Sequence, residues 1–166
     1  MSISGTCDVF CGNYVVQSLC FYTNQTKYGP FGHTSGSPFN FPMKEGVIIG
    51  FHGRGWPSVG YVDAIGVYVK PLEDLLCSTH KGHSYNLENP TKRELWGGNG
   101  GKDWNYQPND VITEIKVHHG KYIDSISFKS KDEDGNWRTY GGTGGKEEPP
   151  FQIDWPSDYL ASISGT

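Results

Sequence analysis

An all-β fold follows from three features of the 166-residue chain. Glycine and proline are frequent, at 23 and 10 residues, while methionine occurs only twice and good helix formers are sparse. Apolar and polar residues alternate over several short segments of the usual strand length. The gaps between those segments carry turn chemistry. The length suits one domain with a sizeable core.

Taken in order, Tyr14–Tyr22 is the first clear strand, ending at Thr23-Asn24. Tyr28-Gly29-Pro30 is a turn, Val47–Phe51 a short apolar strand, and Tyr61–Val69 another. Residues 71–93 follow neither the strand nor the helix period and read as a linker, with one helical turn at Leu72–Leu76. Strands resume at Val111–Val117, Ile123–Phe128, Trp137–Tyr140, Phe151–Trp155 and Leu160–Ser164. Turns at Pro108-Asn109-Asp110, Asp134-Gly135 and Gly141–Gly145 separate them.

The two ends repeat each other. Ser2-Ile3-Ser4-Gly5-Thr6 returns as Ser162-Ile163-Ser164-Gly165-Thr166. Read as a circle, Tyr159–Thr166 runs into Cys7–Val16 and completes a strand pattern that neither end holds alone.

Composition excludes several classes of function. A net charge of −4 with no basic block argues against a nucleic-acid partner. No apolar run of about 18 residues is present, so membrane insertion is not expected. Met1–Thr6 lacks the basic and apolar regions of a secretory signal, which points to a cytoplasmic protein. Cys7, Cys11, Cys20 and Cys77 are then expected as free thiols, and the Asn24-Gln25-Thr26 glycosylation pattern as unused. Cys77, His80 and His83 have a metal-like spacing but lie in a polar linker without a fourth ligand, so they read as a solvated loop. His118 and His119 point to opposite faces of a strand and cannot chelate together. His33 and His52 have no neighbouring nucleophile in sequence, and nothing sets a second carboxylate, such as Glu114 or Asp154, beside Asp63. No enzyme, cofactor or metal is expected.

Specific motifs sharpen this outline. The first block carries Tyr28-Gly-Pro-Phe-Gly, Gly36-Ser-Pro-Phe-Asn-Phe-Pro, Gly46-Val-Ile-Ile-Gly-Phe-His-Gly-Arg and Val62-Asp-Ala-Ile-Gly-Val-Tyr. The second carries Trp96-Gly-Gly-Asn-Gly-Gly-Lys-Asp-Trp, Ile112-Thr-Glu-Ile-Lys-Val, Ile123-Asp-Ser-Ile-Ser-Phe and Tyr159-Leu-Ala-Ser-Ile-Ser-Gly. Together these resemble the jacalin-related lectins. The resemblance implies a β-prism I fold, three four-stranded Greek-key sheets around a pseudo-threefold axis. Residues 1–70 match the C-terminal half of such a domain and 94–166 the N-terminal half, with 71–93 between them. The order is reversed relative to the family. A circular permutant and a piece spanning two tandem repeats both fit. So do closure within one chain and exchange between chains into a domain-swapped dimer.

The resemblance also implies a non-catalytic, carbohydrate-binding lectin of mannose/glucose type that recognises glycans multivalently, as a homo-oligomer. In the family's site an aspartate accepts hydrogen bonds from two sugar hydroxyls, and here that is Asp63. The N–H groups of Tyr61 and Val62 in the turn from Gly60 would donate to the sugar, Gly101 would flank the pocket, and Asn13 and Tyr14 would wall it. An ionised carboxylate suits a hexose because it accepts two charge-assisted bonds at once. Gly101 follows Gly100 in an unbroken chain and offers no ammonium, which points to mannose/glucose over galactose. The Gly141–Gly145 cluster reads as tight turns. The loop Gly55–Gly60 is long, holds Pro57 and has Val59 where the family favours glycine, and Trp56 either packs over the prism end or flanks a second sugar. This departure leaves open an alternative, a plant-defence or protein-interaction scaffold with a vestigial sugar site.

Overall fold

A computed structural model of the chain describes residues 3–41, 46–76, 87–133 and 135–160. The first sheet is built from β1 (Ile3–Phe10), β2 (Asn13–Tyr22), β3 (Lys27–Gly32) and β4 (Ser37–Asn40), in the antiparallel order β3-β2-β1-β4. That order is a Greek key. The β1–β2 turn places Cys11 and Gly12 at positive φ, 49° and 81°, the handedness that matches strand twist in a two-residue hairpin.

The second sheet takes strands from both halves of the sequence. β5 (Val47–Gly55) and β6 (Val62–Lys70) form its central hairpin, and α1 (Leu72–Leu76) follows. β7 (Thr91–Lys92) and β8 (Trp96–Gly97) then pair with β6, and β9 (Lys102–Tyr106) pairs with β5. The third sheet centres on β10 (Ile112–His119) and β11 (Ile123–Ser130). β12 (Arg138–Gly141) flanks β11, while β13 (Lys146–Glu147) and β14 (Phe151–Gln152) flank β10. The three antiparallel sheets make a β-prism. Its second and third sheets contain five strands rather than four because one edge position in each is split into two short pieces.

One phenylalanine from each central hairpin meets in the core. Phe21, Phe51 and Phe128 are fully buried, with Phe51 stacked on Phe128 at 4.5 Å and Phe21 edge-on to Phe51 at 6.3 Å. Burying each such ring stabilises the fold by about 1.5–3 kcal/mol. At one end of the prism the three hairpin turns supply Phe10, Tyr61 and Tyr122, whose ring centroids lie 4.9–5.3 Å apart. This aromatic plug repeats the threefold arrangement and fixes the turns relative to one another.

Some expectations need correction. β1, β3, β4 and β9 lack an apolar alternation strong enough to be read locally; glycine, proline and charged residues occupy them, and tertiary pairing sets their conformation. Leu160 is buried but outside any strand, and the repeated segment at 162–166 lies outside the described residues. The 71–93 linker is partly structured. The helical turn forms at the expected Leu72–Leu76, and Leu75 packs with Val47, Ile49 and Tyr68 on the outer face of β5–β6. Thr91–Arg93 joins the sheet, through β7 and the Arg93 N–H to the Val67 carbonyl. With both its faces covered, β6 is buried at all nine positions. Cys77, His80 and His83 lie outside the described residues.

The seam between the halves is hydrogen-bonded. Asn24 donates its Nδ2 to the Ser157 carbonyl (3.0 Å) and accepts the Tyr159 N–H at Oδ1 (2.9 Å). The asparagine of the glycosylation pattern is thus a structural clasp. Cys7 and Cys20 are buried free thiols and Cys11 an exposed one; burial pushes the Cys7 thiol up to about 12.

Candidate functional site

Asp63 is the second residue of β6, next to the aromatic plug. Strand pairing sets its neighbours: β6 pairs Ala64 with Gly97, and the Gly98 N–H donates to the Asp63 carbonyl at 2.8 Å. The chain then loops through Asn99 and Gly100 over the Asp63 side chain before entering β9. Even a methyl group on Gly100 would lie 2.5 Å from Asp63 Oδ1, and one on Gly101 would lie 2.6–2.7 Å from the Gly55 backbone. Glycine is required here for close approach, and at Gly101 also for a φ of +64°.

Asp63 is 4 % exposed, and its Oδ2 accepts no hydrogen bond from the described residues. Burial raises the Asp63 pKa, opposed first by the positive charge of Arg54 and then by the residue's own backbone N–H. A buried polar atom without a partner is rare and costly. Here it sits beneath the loop that carries Gly100, with no donor among the described residues.

Arg54 secures the loop. Its Nε donates to the Gly100 carbonyl (2.9 Å), Nη2 to the Gly101 carbonyl (3.0 Å) and Nη1 to Asp103 Oδ1 (2.6 Å). Sequence reasoning missed this residue. The only signal was an arginine between glycines, Gly53-Arg54-Gly55, in a strand otherwise read as apolar.

The expected site residues do not all converge. Gly100 is the glycine placed against the Asp63 carboxylate, while Gly101 next to it lies against the Gly55 backbone. Tyr14 borders the loop through its backbone, because a methyl group on Gly98 would strike the Tyr14 carbonyl; its hydroxyl lies 3.3 Å from Ser37 Oγ. Asn13 is exposed at the start of β2. Val62 is buried in the core, and the Tyr61 ring belongs to the aromatic plug. Gly60 faces the other way, with its carbonyl against Gly142. The loop bearing Pro57 and Val59 leans on that neighbour too: Thr143 Oγ1 donates to the Ser58 carbonyl at 3.2 Å. Trp56 is half exposed.

The histidines have structural partners. His52 Nε2 lies 2.8 Å from the Arg93 carbonyl, and burial lowers its pKa. His118 faces Glu147 and His119 faces Glu148.

A family model for the jacalin-like lectin domain matches residues 1–68 and 93–166. The chain belongs to this family. Its relatives include the mannose/glucose-specific lectins of Parkia pendula and Parkia platycephala, each 41 % identical over 99 % of this chain and 34 % of the relative. An agglutinin of Castanea crenata is 33 % identical over 99 % of this chain and 52 % of its own length. The chain thus spans about one third of the Parkia lectins. Within the jacalin-like framework Asp63 comes from the first matched stretch and Gly97–Gly101 from the second, so the pocket exists only where the two stretches meet.

Proposed function

We propose that this jacalin-like domain binds mannose or glucose at Asp63, as a lectin rather than an enzyme. The observation that carries the reading is the buried Asp63 carboxylate with Oδ2 unpartnered under the Gly100–Gly101 backbone. Two neighbouring hexose hydroxyls supply the donors such a carboxylate lacks, and each bond is charge-assisted. The uncut Gly100-Gly101 bond and the mannose/glucose specificity for which the Parkia lectins are named favour mannose/glucose over galactose.

A shallow monosaccharide site of this kind binds at about 1 mM, or about −4 kcal/mol. Useful avidity then comes from several sites on one assembly, and we infer a homo-oligomer. The hydrogen-bonded seam supports residues 1–70 and 94–166 as two halves of one domain. The scaffold alternative drew on the Pro57–Val59 loop, and the contacts of that loop with Gly142 and Thr143 leave the Asp63 pocket intact.

The test is a titration of Asp63→Ala protein with methyl α-mannoside. We expect wild-type binding at millimolar concentration and a loss of at least about tenfold in the variant, the scale of one or two lost charge-assisted bonds, with the circular dichroism spectrum unchanged. Undiminished binding by folded Asp63→Ala protein would refute the assignment. Light scattering after size exclusion reads the oligomeric state, and a monomer at all concentrations would remove the avidity argument.

A further inference from the structure

Asp63 and the aromatic plug lie at one end of the prism. At the opposite end the chain turns from β2 to β3 and from β11 to β12, and leaves β9 and β14 for the next sheet. Two corners of the prism can be compared there. At one, β14 of the third sheet meets β3 of the first: the Tyr28 ring stacks on Phe151 at 4.1 Å, and its hydroxyl donates to the carbonyl of the following residue, Gln152, at 3.4 Å. At the other, β9 of the second sheet meets β12 of the third: the Tyr140 ring stacks on Trp104 at 4.6 Å, and its hydroxyl donates to the carbonyl of the following residue, Asn105, at 3.0 Å. The same contacts in the same order make the two corners equivalent. The third corner, where β4 meets β8, has connections at this end that lie partly outside the described residues.

Beyond these contacts the corners diverge. After Gln152 comes Ile153, buried and apolar, and the loop that follows is clasped to the β2–β3 turn. The Ser157 carbonyl accepts both Asn24 Nδ2 (3.0 Å) and Gln25 Nε2 (3.1 Å), and the Tyr159 N–H donates to Asn24 Oδ1 (2.9 Å). The chain itself shuts that cleft. After Asn105 comes Tyr106, as deeply buried as Ile153 but with a hydroxyl, which donates to Glu133 Oε2 at 2.8 Å. The loop after β9 and the β11–β12 turn are joined at their base by the Lys131 N–H to the Val111 carbonyl (3.1 Å). Above that bond they stand apart around an open cavity of about 550 Å³, within the range of about 300–1,000 Å³ usual for small-molecule sites.

The wall of this cavity is fixed by Glu133, which accepts the Tyr106 hydroxyl on one oxygen and Arg138 Nε on the other (3.0 Å). Because Arg138 is held through Nε, its two Nη groups have no acceptor among the described residues. Asn109 and Asn136, on opposite rims, likewise make no side-chain hydrogen bond among the described residues. Pro108 is the only lining residue without a polar side chain. That lining selects a ligand. A bound peptide needs pockets for its side chains, and an apolar one is missing here. Asp132 and Glu133 beside Arg138 disfavour an anion. Glu133 has both oxygens engaged and Asp132 Oδ1 holds the Ser130 hydroxyl, which leaves too few carboxylate oxygens for a hard cation. Amides offer donor and acceptor together, as hydroxyl groups do.

We propose that the cavity between the loop after β9 and the β11–β12 turn is a binding site for a neutral saccharide, built on different chemistry from the Asp63 pocket and placed at the other end of the prism. Arg138 donates through its Nη groups to hydroxyl oxygens, and the Asn109 and Asn136 amides donate and accept from the two rims. Tyr106 and Glu133 are positioning residues that hold Arg138 in place. The site does not depend on the reading of Asp63 as a sugar ligand. With both sites occupied, one domain bridges two glycans from opposite ends, which adds cross-linking to whatever avidity an assembly supplies.

The experiment is an amide NMR titration of the isotopically labelled chain with mannotriose and maltotriose as neutral probes, and with N-acetylneuraminic acid and spermidine as charged ones. We expect saturable shifts of the Asn109 and Asp110 backbone amides and of the Asn109 and Asn136 side-chain amides with at least one neutral sugar, as a set separate from any at Asn99–Gly101, and none with the charged probes. Arg138→Gln, on an exposed side chain outside the core, lowers the affinity read at Asn109 and Asn136 by at least about tenfold, the scale of one or two lost charge-assisted bonds, and leaves that at Asn99–Gly101 within about twofold, as expected for independent sites. Asp63→Asn does the reverse. Saturation at Asn99–Gly101 with Asn109 and Asn136 unmoved by both neutral sugars would overturn this site and leave the Asp63 reading standing. Saturation at Asn109 and Asn136 alone would uphold this site and overturn the Asp63 reading, and no saturable shift at either place would overturn both. Tighter binding of a charged probe would overturn the ligand class, and undiminished affinity in Arg138→Gln protein would overturn the role given to Arg138.

Discussion

At the scale of single residues, Asp63 is held against its own solvation. Burial raises its pKa above that of an ordinary aspartate, with Arg54 and the residue's own N–H only opposing the shift. A carboxyl group whose folded pKa exceeds its unfolded pKa binds its proton more tightly in the native state. It therefore lowers stability once the pH rises past the unfolded value, and that penalty disappears on acidification. The ionised form is also the one that accepts from sugar hydroxyls. Binding and folding thus ask for opposite protonation states. Two outcomes are expected. Mannoside affinity falls on acidification at a pH above the usual aspartate range, and a titration at successive pH values reads the midpoint. Asp63→Asn, which removes the charge but keeps the shape, raises the melting temperature at pH 7 relative to wild type, and the gain shrinks toward zero as the pH falls through the normal aspartate pKa. A midpoint at or below that of a free aspartate, or an Asn variant that is less stable at neutral pH, would contradict this account.

At the scale of elements, the pocket is a property of how β5, β6 and β9 meet. Arg54 on β5 spends its three donor nitrogens on the loop that leads into β9, two of them on backbone carbonyls. Lysine cannot reproduce that fork. Arg54→Ala is expected to weaken mannoside binding by about tenfold, the scale of a lost charge-assisted hydrogen bond. Arg54→Lys keeps a charge near Asp63 and should restore the pH midpoint better than the affinity; equal rescue of both would mean that Arg54 acts through charge alone. The same elements show what could be read beforehand. The long hairpins announce themselves through runs such as Tyr61–Val69 and Ile123–Phe128, because both have a core face. β4, β8 and β9 do not, since their glycines and charges are held by partners far away in sequence. Asp63 and the Gly97–Gly101 loop were legible as a pair only through a resemblance in which several motifs keep their order. Arg54 was not, because what distinguishes it is a neighbour that only the folded register supplies.

For the whole molecule, the decisive fact is that the second sheet, the surroundings of Asp63 and the core each need both halves of the chain. β9 from the second half completes the sheet of β5, and β7 and β8 border β6. The aromatic plug takes Phe10 and Tyr61 from the first half and Tyr122 from the second, and the core takes Phe21 and Phe51 from one and Phe128 from the other. Neither half has a closed core of its own, so neither is expected to fold alone. The covalent link through 71–93 contributes Leu75 to the outer face of β5–β6 and β7 to the edge of β6, and neither contact involves residues 77–86. A protease recognition site placed within 77–86 and cut after purification should therefore leave fragments that elute together under native conditions and separate only in denaturant. The cut protein should keep mannoside binding within about twofold, since no pocket residue belongs to 77–86, while refolding from denaturant becomes concentration-dependent because closure is now bimolecular. Fragments that separate without denaturant would mean that the linker, not the shared sheets and rings, holds the prism together. Fragments that stay together but lose all sugar binding would mean that the pocket depends on strain transmitted from α1, and would shift attention from Gly100 and Asp63 to the packing of Leu75.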